Sequence, residues 1–192
     1  EISLGLVGSE MCIRDRVYQQ MNNQEKNTYV RSQILAALLK MMQEQPFSDI
    51  SISALVGTAQ VGRASFYRNF TDKGDVLRQE NDRLTAQWKQ DYESTEHAAP
   101  NELLISLLDF YKEHSDFYLA LYQSGLADML LQTLLKQSEI TPEMPNALAY
   151  LKSSIAYMLY GWIVEWMKRG MPESGTELAK MFEEAQKTKI NQ

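Results

Sequence analysis

The sequence predicts an all-α chain in two parts, and three observations carry that expectation. Apolar residues recur at spacings of three and four over most of its 192 residues, the pattern of helices with one buried face. Glycine and proline are sparse, at 9 and 5, too few for a many-turned β fold. A polar stretch, STEHAAPN at 94–101, interrupts the helical rhythm near the middle.

With 44% hydrophobic residues and a net charge of −6, the chain can bury a real core. Its one cysteine, Cys12, rules out a disulfide framework within the chain and makes a reducing cytoplasm the expected setting. The best apolar run, Ile155 to Val164, lies between Lys152 and Glu165. It is roughly half of the ~20 residues a membrane span needs, so a buried helix is expected there and no membrane partner. The opening EISLGLVGSEMCIRDR has no basic segment before its apolar part and so makes a poor signal peptide. It resembles translated sequencing-read sequence more than protein. Residues 1–23 are expected to be a non-native or disordered leader, with Met21 as the native start and no native role for Cys12.

The elements follow in order. Val30, Ile34, Leu35, Leu38, Met41 and Met42 trace one face of a first helix, with Thr28 as its N-cap and Pro46 as its stop. Phe47 to Ile50 connect to a short second helix, capped by Ser51 and carrying Ile52, Leu55 and Val56. The chain turns around Gln60–Gly62. A third helix spans Arg63 to Phe70, and Asp72 can cap a fourth from Lys73 to about Glu93. Residues 24–93 therefore form one domain with a connecting helix, and 94–192 a second. The first holds nine basic and nine acidic residues; the second holds eight and thirteen.

In the second domain, Asn101 starts a helix with Leu103, Leu104, Leu107, Leu108, Phe110 and Tyr111. Ser115 caps another, ended by Gly125, and a third contains Leu126 to Leu135. A long helix runs from Asn146 to Arg169, closed by Gly170 with Pro172 beyond. Ser174 caps the last, with Glu177 three residues on as in a capping box.

Three short helices, the last two joined by a tight turn, make a helix-turn-helix unit. In that motif the second helix of the pair enters the major groove of DNA and its first residues face base edges. Here those are Arg63, Ala64 and Ser65. The stretch VGRASFYRNF puts two aromatics between two arginines, which neither a core helix nor a solvated one favours. A two-faced helix accommodates both. Phe66 and Phe70, four apart, can bury, while Arg63, Tyr67 and Arg68 face a polyanion. A tyrosine hydroxyl can donate to phosphate while its ring packs. An arginine can fork onto guanine O6 and N7. Lys73 stands at a helix N-terminus, where the dipole already favours phosphate.

TYVRSQILAALLKMMQEQPFSDISISALVGTAQVGRASFYRNFTDKGDVL resembles the DNA-binding domain of TetR/AcrR-family transcription regulators, most specifically in SFYRNFTDKGDVL. GWIVEWMKRGMPESGTELA is more distantly similar to the final two helices of small members. The resemblance implies base reading by Arg63, Ala64 and Ser65. It implies phosphate contact by Ser51, Tyr67, Asn69 and Lys73, with Arg68 beside them. The chain departs from the family at the turn. Ala59-Gln60-Val61-Gly62 stands where Ala-Gly-Val-Ser is common, which would alter the turn's geometry and removes a serine N-cap. Gly74 stands where the family often has Glu.

For the second domain the resemblance implies dimerisation and a small-molecule effector. Leu148, Leu151, Ile155, Leu159 and Trp162 form one stripe, and the last helix offers Leu178, Met181 and Phe182. Helix pairs from two subunits can pack as a four-helix interface, so Leu159, Trp162, Trp166, Leu178, Met181 and Phe182 are candidate interface residues. Tyr111, Tyr118, Tyr122, Tyr157 and Met158 are candidate lining for an apolar pocket. Core packing is the competing role for every one of them.

Catalysis finds little support. His97 and His114 are the only histidines and sit in no metal-ligand spacing, and no phosphate loop or nucleophile elbow occurs. No metal or cofactor is expected. The expectation is a homodimeric, cytoplasmic repressor that binds a double-stranded DNA operator and is released by a small apolar ligand. The alternative is a protein-interaction co-activator that kept the fold without operator binding.

Overall fold

Asn22 opens the first helix with a complete capping box. Its Oδ1 accepts from the backbone N–H of Gln24 and of Glu25, both at 2.9 Å, and Glu25 Oε2 accepts from Asn22 N at 2.7 Å. The computed structural model describes residues 22–95 and 102–188; the leader up to Met21, with Cys12, and the junction residues His97 and Asn101 lie outside the described residues. Helix α1 runs Asn23–Glu44, five residues ahead of the Thr28 start expected from the apolar pattern. Thr28 instead donates to Gln24 O within the helix. The pattern reports where α1 becomes buried, at Val30; the cap decides where it begins.

A 3₁₀ turn, Phe47–Asp49, follows Pro46. Helix α2, Ile52–Thr58, is capped by Ser51 Oγ accepting from Ala54 N at 3.1 Å. Helix α3, Arg63–Asn69, comes next. Both short helices pack on α1, over a core of Ile34, Leu38, Ile50, Leu55, Phe66 and Phe70.

The turn between α2 and α3 bends at Gln60 and not at Gly62. Gln60 takes the left-handed conformation at φ 53°, and Val61 N–H closes back on Val56 O at 3.0 Å. Gly62 is extended and forms an N-cap without a side-chain bond. A side chain in the left-handed region costs about 1–2 kcal/mol, partly offset because glycine is freer when unfolded. Gln60→Gly is therefore expected to stabilise the protein by about 0.5–1 kcal/mol in denaturant titration. Gly62→Ser, whose Cβ would meet nothing nearer than Ser65 Oγ at 3.8 Å, should add a few tenths more.

Helix α4 spans Lys73–Glu93. By its internal packing the chain separates into two compact units within this helix, after Leu77. The reason is what each stretch of α4 does. Val76 and Leu77 are buried with the first unit. Asn81 and Thr85 are buried in the second, where Asn81 bonds to residues of two other helices.

The second unit adds α5 (Glu102–Glu113), α6 (Ser115–Gln123), α7 (Asp128–Gln137), α8 (Asn146–Lys168) and α9 (Gly175–Thr188). Helices α6 and α7 pack on α8, and α9 packs on α5. Ser115 is the first residue of α6 and not its cap, which is His114 without a side-chain bond. Gly170 ends α8 at φ 80°. Ser174 and Glu177 form the expected box at α9, with Ser174 N donating to Glu177 Oε2 at 2.8 Å and Glu177 N to Ser174 Oγ at 3.2 Å. At Gly175 the backbone N–H reaches Asp109 Oδ1 at 3.0 Å. A Cβ there would collide with that oxygen and with the Asp109 backbone nitrogen, so α9 can approach α5 this closely only through glycine. No described helix is long and apolar enough to cross a membrane, and no strand occurs among the described residues.

Candidate nucleic-acid interface

Helix α3 has two faces, as its sequence requires. Phe66 is fully buried and meets Phe70 at 5.7 Å between ring centroids. Its neighbour Tyr67 is 49% exposed and presents its ring edge-on to Phe66 at 5.3 Å. Arg63, Ala64, Tyr67 and Arg68 are exposed, and Ser65 and Asn69 are half-buried. The guanidinium of Arg63 lies 5.7 Å from the Tyr67 ring centroid, and its Nη2 donates to Tyr67 Oη at 3.5 Å. Arg68 Nη2 donates to Ser65 Oγ at 3.3 Å, and Asn69 Nδ2 to Ser65 O at 2.9 Å. These are one-turn contacts on an exposed helix, so both guanidinium groups keep donors for another partner. Ser51 is exposed; its cap uses an acceptor lone pair and leaves the hydroxyl proton free.

Lys73 departs from the sequence-based role. Its ammonium donates to Phe47 O, to Ser48 O at 2.9 Å and to Ile50 O at 2.8 Å, and sits 4.6 Å from the Phe47 ring centroid. An ammonium has three N–H donors, and three carbonyls take them. Lys73 therefore ties the start of α4 to the turn that precedes α2 and has no donor left for phosphate. The cap of α4 is likewise internal: Asp75 N donates to Asp72 Oδ1 at 2.7 Å, and Thr71 N to Asp75 Oδ2 at 2.9 Å.

In the second unit, a cavity of about 350 Å³ lies among α4, α5, α7 and α8, with Trp88, Phe110, Tyr111, Leu134 and Ile155 in its wall. Of the five residues expected to line a pocket, Tyr111 does. Tyr118 is fully buried, edge-on to Tyr111 at 4.6 Å, with its hydroxyl on Asn81 Oδ1 at 3.2 Å. Burial, reinforced by Tyr111, raises its phenol above the ordinary value. Tyr157 and Met158 are exposed on α8, pointing away from the interior, and Tyr122 is half-buried outside the cavity wall. The apolar rhythm could not separate these faces, because α8 is apolar on more than one side.

Sequence reasoning missed Trp88, Thr85 and Thr133 as cavity residues. A signal existed. Asn81 and Thr85 interrupt the apolar face of α4 at helical spacing, and buried polar residues need partners. Here Asn81 Nδ2 donates to Thr133 Oγ1 at 2.6 Å, and Thr85 Oγ1 to Asn81 O at 2.8 Å.

The expected interface residues divide. Trp166, Leu178 and Phe182 are buried within the unit, because α9 packs on α5 and Trp162 lies edge-on to Phe182 at 5.0 Å. They cannot face a second copy. Leu159 lines the cavity, and Met181 is exposed. The apolar residues α8 leaves exposed include Leu148, Tyr150, Leu151, Ile155, Tyr157 and Met158.

A two-helix reader with buried phenylalanines and exposed arginines, joined to a helical second unit, defines a helix-turn-helix protein. Residues 34–79 match the family model for bacterial regulatory proteins of the tetR family, and residues 99–187 match that for the transcriptional regulator C-terminal region. The chain belongs to the TetR family of bacterial transcription regulators. Two solved structures are similar in fold. Lin0861 from Listeria innocua aligns with a TM-score of 0.72 at 15% identity, over 88% of this chain and 94% of its own. A TetR-family transcriptional regulator from Syntrophomonas wolfei aligns with a TM-score of 0.59 at 16% identity, over 81% of this chain and 91% of its own. No curated protein matches the sequence.

Proposed function

We propose that this regulator is a repressor that binds a twofold-symmetric DNA operator as a homodimer and leaves it when a small apolar ligand enters the second unit. The observation that carries the DNA-reading part is the polarity of α3, with Phe66 and Phe70 buried and Arg63, Tyr67 and Arg68 on the open side. Arg63, Ala64 and Ser65 read bases, and Ser51, Tyr67, Arg68 and Asn69 hold phosphates. Arg63→Ala should relax preference at one base position, with a cost of roughly 1–3 kcal/mol, whereas Tyr67→Phe should weaken all sequences alike. A bind-and-sequence selection with both variants checks this; identical preference profiles would mean that Arg63 reads no base. Operator affinity should also fall steeply with salt.

Two half-sites about 34–36 Å apart call for two copies. The second copy covers the exposed stripe of α8. Leu148, Leu151, Ile155 and Met158 follow at three or four residues, and Gly161 continues the stripe with open space where a Cβ would stand. Leu151→Glu should shift the protein to monomer in sedimentation and lower operator affinity, while Phe182→Leu should leave the oligomeric state unchanged.

Release acts through α4, one continuous helix shared by both units. A ligand that binds one arrangement of the second unit more tightly shifts the population towards it. The equal count of acids and bases in residues 24–93 favours the co-activator alternative, since nucleic-acid readers usually carry a basic excess. Such a protein would show no salt-dependent binding to any DNA in the selection.

A further inference from the structure

The 350 Å³ cavity has few polar features. Its aromatic wall comes from Trp88, Tyr92, Phe110 and Tyr111. The polar groups that are buried in it are hydroxyls: Thr85, Thr133 and Tyr111. Thr85 and Thr133 already donate inward, to Asn81 O and to Met129 O. Tyr111 differs. It is 2% exposed, and no hydrogen bond to its hydroxyl occurs among the described residues. Trp166 Nε1 is the buried polar atom without a partner among the described residues, so the unpaired Tyr111 oxygen stays accessible from the cavity that the residue lines. Burial alone raises its phenol well above the ordinary value, so this hydroxyl keeps its proton and is a donor.

Charge at the rim adds a second constraint. Lys89 is bracketed by Glu93 at 3.9 Å and Glu139 at 3.7 Å. Two carboxylates against one ammonium repel an incoming anion. The lining beyond Lys89 and Glu93 has no charged side chain to pair with an anion, and an unpaired buried charge is costly.

We propose that the effector is an uncharged, mainly aromatic molecule with one acceptor oxygen, such as a ketone or ester, held by a hydrogen bond from Tyr111. This deepens the effector reading above and rests on it. It assigns Tyr111 as the polar anchor and excludes carboxylates from the cavity.

Calorimetric titration of the full chain without DNA tests the proposal. The probes are 2-acetonaphthone, naphthalene and 2-naphthoate. The ketone should bind at least tenfold tighter than the carboxylate. Tyr111→Phe removes only an unpaired hydroxyl and should weaken the ketone roughly fivefold, the range of one neutral hydrogen bond, while leaving naphthalene unchanged. Ala156→Met, which fills the cavity from a buried position in its wall, should weaken ketone and naphthalene together and keeps the test independent of the tyrosine variant. Carboxylate binding at or above the ketone's affinity, a ketone affinity indifferent to Tyr111→Phe, or no binding by any probe overturns the proposal. These outcomes are separate from the regulatory reading. If the ketone binds through Tyr111 yet operator affinity is unchanged, ligand release fails and the anchor stands.

Discussion

Lys73→Met will destabilise the first unit by about 2–4 kcal/mol, because it strips three carbonyls of a charged donor in a partly buried setting. The carbonyls of Phe47, Ser48 and Ile50 lie in the segment that sets the entry to α2. Losing the ammonium frees that segment and, with it, the Ser51 cap. Denaturant titration measures the loss. DNA affinity will fall too, yet the slope of log affinity against log salt will stay as in the parent protein. A lysine on phosphate behaves oppositely: its removal leaves stability nearly untouched and lowers the slope by about one. An unchanged stability with a reduced slope would return Lys73 to the DNA surface.

Phe66→Ala will cost about 3–5 kcal/mol, the range for emptying a fully buried aromatic site. The first unit is a small three-helix core, and small domains have little stability in reserve. Most of the variant's DNA binding should therefore vanish through unfolding. Its neighbour provides the control. Tyr67→Phe keeps the ring that leans on Phe66 and removes only an exposed hydroxyl. Its stability should stay within about 0.5 kcal/mol of the parent, while binding weakens equally on all DNA sequences. Adjacent aromatics in one helix would then separate fold from DNA contact. A Phe66→Ala protein that melts like the parent would place that ring outside the core.

The chain's own order of residues was enough to locate most helices and the two-faced character of α3. Phe66 and Tyr67 are adjacent in α3, and successive side chains of a helix point about 100° apart, so one ring can bury while the next stays out. Local chemistry likewise announced the Ser51 cap, the Asp72 cap and the Ser174–Glu177 box, since each involves groups within three residues. What needed the folded protein were pairings across long stretches of chain. The three carbonyls on Lys73 come from residues 23 to 26 positions earlier. Asn81 meets Thr133 across 52 residues, and Gly175 meets Asp109 across 66. Helical periodicity says that a face is apolar but not which neighbour covers it. Trp166, Leu178 and Phe182 therefore turned inward, Tyr157 and Leu151 outward, and the choice was made by which helices pack together.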